Sequence, residues 1–122
     1  MITVFGIKNC DTVKKALKWL DRESVAYQFH DFRKDGLDAS LVDHFLASLD
    51  YSALINTRGT TWRTLSDAQK EPMDAAKART LMLTYDAIIK RPVWQFEDGA
   101  MDIGFSKKEQ ASIAQKLKVH QL

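Results

Sequence analysis

Cysteine is almost missing from this chain: Cys10 is the single one in 122 residues. One thiol excludes an intramolecular disulfide and any zinc site built on paired cysteines. A secreted domain of this size more often carries an even set, so the cytoplasm is the expected compartment. Long apolar runs are missing as well. No stretch approaches the ~20 residues of a membrane span, and the opening "MITVFGIKNC" has neither a charged leader nor a long apolar core, so neither a membrane anchor nor a signal peptide is expected. An excess of one charge is absent too, with 18 Lys and Arg against 16 Asp and Glu. Basic residues are mixed with acids, as in "DFRKDG" and "SKKEQ", which argues against direct nucleic-acid binding. There is no internal repeat, no low-complexity segment, no G-x-G-x-x-G, no P-loop and no serine-centred nucleophile motif. His30, His44 and His120 have no metal-ligand spacing, so no metal is expected.

What is present reads as one α/β domain over 1–122. Hydrophobic residues make up 45% and charged residues 28%, a globular balance in a chain long enough to bury one core. "ITVFGI" (2–7) suits a buried strand. From Asp11 the period changes: Val13, Ala16, Leu17 and Leu20 recur at helical steps, so 11–23 is expected to be an amphipathic helix. "VAYQFHDF" (25–32) alternates as a half-buried strand, and "DASLVDHFLASL" (38–49) is a helix with Asp38 as N-cap. The stretch 51–72 is expected to be loop with one short helix near 61–66, followed by a helix over 73–83. "RPVWQFEDGAMDIGF" (91–105) reads as a hairpin turning at Asp98-Gly99. Ser106 and Glu109 are spaced as a capping box for a last helix, 106–118. This order predicts a thioredoxin-like fold, a mixed four-stranded sheet flanked by helices, with a helical insertion at about 51–89.

Three places could carry chemistry. Cys10 falls between a strand and a helix, where unpaired N–H groups and the positive helix end favour a thiolate. Lys8, Lys14 and Lys15 add positive charge there and Asp11 opposes it. A lone cysteine is also commonly a small buried hydrophobe, and the residues alone leave both readings open. Position 13 is Val13 and not a second cysteine, so a disulfide on Cys10 must be resolved by an external thiol. Ala16 excludes a phosphatase-like C-x5-R loop. Pro92 suits the head of a strand, where no ladder donor is needed and a cis peptide is cheap. Arg91 before it is then either aimed at the thiol or solvated. Arg58, beside Gly59 in a polar loop, offers a planar fork for an oxyanion or is likewise solvated. Trp19, Trp62 and Trp94 read as core or rim.

Taken together, "GIKNCDTVKKALKWL", "YQFHDFRKDGL", "LINTRGTTWRTL" and "IIKRPVW", followed by "IGFSKKE", resemble the ArsC/Spx (arsenate reductase-like) family of the thioredoxin-like superfamily, and within it the YffB branch. The resemblance spans residues 2 to 117. It implies that Cys10 is the nucleophile, that Arg58 and Arg91 hold an oxyanion or steady the thiolate, and that Pro92 is the cis proline of such folds. Lys8 and Asn9 would shape the loop. One departure is visible. Where the arsenate reductases carry a further arginine in a G-R-P stretch, this chain reads Gly104, Phe105, Ser106. Loss of one charge-assisted contact, ~1.5–3 kcal/mol, disfavours arsenate as substrate. The expected activity is a glutathione-dependent thiol reductase with no bound cofactor, glutathione as co-substrate, and glutathione or a glutaredoxin resolving a small mixed disulfide. The alternative is an Spx-like regulatory module that contacts RNA polymerase, without the C-x-x-C switch.

Overall fold

The computed structural model describes residues 1–119; His120 lies outside the described residues. The elements run β1 (Ile2–Gly6), α1 (Asp11–Arg22), β2 (Tyr27–Asp31), α2 (Ala39–Ser48), α3 (Tyr51–Leu54), α4 (Thr60–Thr64), α5 (Asp67–Lys70), α6 (Ala75–Thr84), a 3-10 turn (Asp86–Ile88), β3 (Val93–Gln95), β4 (Met101–Ile103) and α7 (Lys107–Leu117). They form two compact units, one from residues 1–35 together with the chain from Arg91 onward, the other from Gly36–Lys90.

The first unit holds the sheet, in the order β2-β1-β3-β4. β1 pairs parallel with β2, Val4 opposite Phe29, and antiparallel with β3, Val4 opposite Trp94. β3 and β4 pair antiparallel. The sheet is therefore mixed, as the sequence order predicts. Alternation along β1 sends Ile2 and Val4 to one face, where they meet Ala16, Trp19 and Leu20 of α1 and Ile113 and Ala114 of α7. The indoles of Trp19 and Trp94 meet edge to face at 6.5 Å and 78°, and the Trp94 Nε1–H donates to the Gly104 carbonyl at 2.9 Å. Both tryptophans are core, with the buried polar atom of Trp94 satisfied. The hairpin turns at Asp98-Gly99, where Gly99 has φ +88° and the Asp98 carboxylate accepts the Ala100 amide at 2.9 Å. α7 opens on the capping box of Ser106 and Glu109.

The second unit is helical. Asp38 caps α2 through the Leu41 amide at 2.9 Å. Val42 and Phe45 are buried. α2 packs on α6, and their outer edges are tied by Arg79, whose Nε and Nη2 donate to the two oxygens of Asp43 at 2.6 and 3.3 Å. A single bridge joins Ile55 to Ile89, flanked by Asn56 N–H to Ile88 O at 2.8 Å and Lys90 N–H to Leu54 O at 2.7 Å. The sequence expectation for 51–72 needs correction: the segment contains three short helices, α3, α4 and α5, where one was expected. Asp50 caps α3 through Ser52, and Ser66 with Gln69 boxes α5. Helices of four or five residues are too short to show an apolar period, so only their caps betray them. The helical unit contains α2 together with all the elements of 51–89.

Candidate active site

At the end of β1 the chain turns sharply. The Cys10 amide donates to the Ile7 carbonyl at 3.1 Å, so Ile7, Lys8, Asn9 and Cys10 form one tight turn with Lys8 and Asn9 exposed at its tip. Cys10 is the N-cap of α1: its backbone is extended, at φ −92° and ψ 124°, and its carbonyl accepts the Lys14 amide at 3.0 Å. Its side chain makes no capping hydrogen bond. Cys10 is half-buried and in no disulfide. It thus stands at the positive end of a twelve-residue helix, next to first-turn amides that lack an intrahelical acceptor. Asp11, the first helical residue, opposes that field.

The same end of the sheet carries the proline. Phe5 is paired with Val93, so one step further along the ladder Gly6 stands beside Pro92. The Arg91-Pro92 peptide is cis. Pro92 is buried and its carbonyl accepts the Gly104 amide at 2.8 Å. Gly104 sits at φ +90°, a conformation that favours glycine, and both its amide and its carbonyl are used, one by Pro92 and one by Trp94. Arg91 is half-buried with its Nε enclosed. On the other side of β1, Gly6 pairs with Asp31, the Phe32 amide donates to the Gly6 carbonyl at 2.9 Å, and the buried Asp31 carboxylate accepts the Arg33 amide at 2.9 Å.

The structure therefore brings Lys8, Asn9, Cys10, Arg91 and Pro92 to one end of one sheet. Arg58 belongs to the helical unit. It is exposed in the turn before α4, with its amide donating to Asn56 Oδ1 at 3.1 Å. Phe105 belongs to the core: it is 4% exposed, and its ring lies 5.4 Å from Trp19 and 5.8 Å from Trp94. Two contributors escaped the sequence reading. Gly6 permits the close approach of α1 to β1, and Asp31 closes the turn after β2; the only sequence signal for the second is an aspartate two residues before Arg33. Among the described residues no group of three His, Cys, Asp or Glu is placed to hold a metal ion, and no helix is long and apolar enough to cross a membrane.

A mixed four-stranded sheet with one half-buried thiol at the start of its first helix defines a thioredoxin-like protein with a single-cysteine site. The chain belongs to the ArsC family, which it matches over residues 5–113. It is 44% identical to an uncharacterised protein of Haemophilus influenzae across 93% of this chain and all of that one. Among solved structures it is similar to a protein named YFFB, with TM-score 0.83 and 41% identity, covering 92% of this chain and 97% of the other. An arsenate reductase (ArsC) related protein from Brucella melitensis gives TM-score 0.77 and 42% identity, covering 97% and 95%. The global transcriptional regulator Spx of Streptococcus mutans is more distant, 26% identical over 89% of this chain and 80% of its own length. The family thus takes in arsenate reductase-related proteins and, more distantly, Spx regulators.

Proposed function

We propose that the protein is a glutathione-dependent thiol reductase in which Cys10 is the sole nucleophile. In the first step the Cys10 thiolate attacks the glutathionyl sulfur of a mixed disulfide. The substrate S–S bond breaks, the substrate leaves as a thiolate and takes up a proton, and a Cys10–glutathione disulfide remains. A second glutathione thiolate then attacks that disulfide, releasing Cys10 reduced and carrying the electron loss away as oxidised glutathione. No second cysteine of the chain is required. The single observation that carries this reading is the half-buried Cys10 at the start of α1 in a chain with no other thiol. Arg91, directly before Pro92, is assigned to steady the negative sulfur or hold a glutathione carboxylate. Lys8 and Asn9 shape the loop, and Arg58 enters by the family resemblance alone. Arsenate is not the preferred substrate on this reading, because Phe105 offers no donor. The cytoplasm, where glutathione is reduced, is the matching compartment.

The test is NADPH consumption with glutathione and glutathione reductase, offering a small glutathione mixed disulfide and, separately, arsenate. Turnover of the disulfide that disappears in Cys10→Ser is expected, with little turnover of arsenate. Arg91→Ala should slow alkylation of Cys10 by iodoacetamide near neutral pH, and Arg91→Lys should restore part of the rate; an unchanged rate would remove Arg91 from the site. The similarity to Spx supports a second reading, a module that binds RNA polymerase. Absence of any Cys10-dependent turnover, with retention of RNA polymerase on the immobilised protein, would favour it.

A further inference from the structure

We infer that a basic cleft between α1 and α7 is an anion site that takes a compact polyphosphoryl group, free or carried on a larger molecule. The cleft has a volume of about 370 Å3 and is lined by Lys15, Lys18, Arg22, Lys107 and Gln110. Lys15, Lys18 and Arg22 follow one another at three- and four-residue steps and so share one face of α1. Lys107 is the first residue of α7, where the helix dipole disfavours a cation. Four positive side chains thus converge on one concavity that no carboxylate among the described residues lines.

Two cations elsewhere in the chain are paired: Arg79 with Asp43, and Lys116 with Asp102 at 3.3 Å. Among the described residues none of the four cleft cations is in an ion pair. The acids of the same two helices are committed or lie outside the cleft. Glu109 accepts the Ser106 amide at 3.3 Å, Asp21 is hydrogen-bonded to the Tyr27 hydroxyl, and Asp11, one helical turn before Lys15, does not line the cleft. The repulsion among the four cations is therefore left for a ligand to neutralise. Gln110 gives the cleft a fixed polar wall: it is 6% exposed, and its Nε2 donates to the Phe105 carbonyl at 3.0 Å.

Size and chemistry narrow the ligand. The volume is near the lower end of small-ligand sites, roughly 300–1,000 Å3, which favours a compact group. Four cations exceed what a monoanion neutralises. Lysines act as point charges for phosphoryl oxygens, and the Arg22 fork can take two of them at once. No aromatic side chain among the described residues lines the cleft, so a nucleobase gains no stacking there and recognition rests on the phosphoryl charges.

Amide NMR of the intact protein, titrated with inorganic pyrophosphate, with ADP, and with sodium sulfate at matched ionic strength, tests this directly. Saturable shifts confined to residues 15–22 and 107–110 are expected with one or both phosphoryl probes. Tighter binding of pyrophosphate than of ADP identifies a free ligand, and the reverse identifies a carried one. The double variant Lys18→Gln/Arg22→Gln should weaken binding at least tenfold, while Lys14→Gln, outside the cleft, should not change it. Shifts that fail to saturate, that sulfate reproduces, or that the double variant retains would overturn the assignment. Binding is read on the protein itself, so the result is independent of whether Cys10 reduces disulfides.

Discussion

A Cβ built on Gly6 would stand 2.7 Å from Cγ2 of Val13. Gly6 is the last residue of β1 and Val13 the third of α1, so this contact sets how closely the helix bearing Cys10 lies on its strand. Val13 is fully buried and β-branched, so its methyl cannot swing aside as a long flexible side chain would.

Gly6→Ala should therefore be destabilising in spite of its small size. Overpacking of this kind costs about 1–3 kcal/mol, and a lower urea midpoint with an unchanged m-value is the expected result. The same shift should move the Cys10 turn, so turnover should fall together with stability. An unchanged midpoint would mean that α1 has room to lift from β1 at no cost.

Phe105 makes a second test. Replacing it by arginine would supply the donor that arsenate reductases carry in their G-R-P stretch. The side chain, however, occupies the aromatic core with Trp19 and Trp94. Phe105→Arg should lose at least ~3 kcal/mol, the scale for removing a buried phenylalanine, with the cost of burying a guanidinium added. It should gain no arsenate turnover. Thermal unfolding combined with the arsenate assay decides the matter: a stable variant that reduces arsenate would show that position 105 can face the site after all.

These two residues show where the sequence was readable and where it was not. β1 was legible as an apolar run, β2, α1 and α2 from their periods, α6 from its composition, the short strands β3 and β4 from the turn at Asp98-Gly99, and the end caps Asp38 and Ser106 mark α2 and α7. Cys10, Arg91 and Pro92 were legible as a set only through the resemblance to the ArsC/Spx family, since spacing alone left Arg91 and Pro92 open to an ordinary strand-edge reading. Gly6 was silent, since its role depends on Val13 lying across an element boundary. Phe105 was read as a missing donor, whereas its contribution is to packing: Trp19 is far in sequence from Trp94 and Phe105, and no local pattern reveals that their rings meet.

The pair of Asp43 and Arg79 gives a pH-dependent outcome. The hydrogen bonds from Arg79 hold the Asp43 carboxyl below its usual range, and Asp43 in turn raises Arg79. The folded state thus binds a proton at Asp43 less readily than the unfolded chain. The stabilisation is present near neutral pH, above the unfolded value of about 4, and is lost as the pH falls through the folded one. Arg79 stays charged throughout that range. Both groups are exposed, so the contribution is modest and salt-sensitive. In a double-mutant cycle of Asp43→Asn and Arg79→Gln, coupling should be measurable near neutral pH at low salt and be lost as the pH falls through the lowered value of Asp43. Coupling that persists in acid would mean that the pair is held by packing of the arginine stem.

Val13→Cys would install the second thiol that the chain lacks. Position 13 is one turn along α1 from Cys10 and on its buried side, the spacing of a C-x-x-C redox pair at a helix start. The change removes one buried methyl group, so the stability cost should stay below about 1.5 kcal/mol. With oxidised glutathione as oxidant, Cys10 should first form a mixed disulfide. The new thiol at position 13 should then displace glutathione, leaving an internal disulfide and no titratable thiol. Release of glutathione from Cys10 should then no longer require free glutathione, whereas steady-state turnover still should, because two glutathione molecules must reopen the internal disulfide in each cycle. The control Cys10→Ser/Val13→Cys should keep one thiol and remain inactive. Retention of two free thiols by the single variant under these conditions would mean that the Cys10 sulfur points away from α1, and would undercut the assignment of the helix end as the group that steadies it.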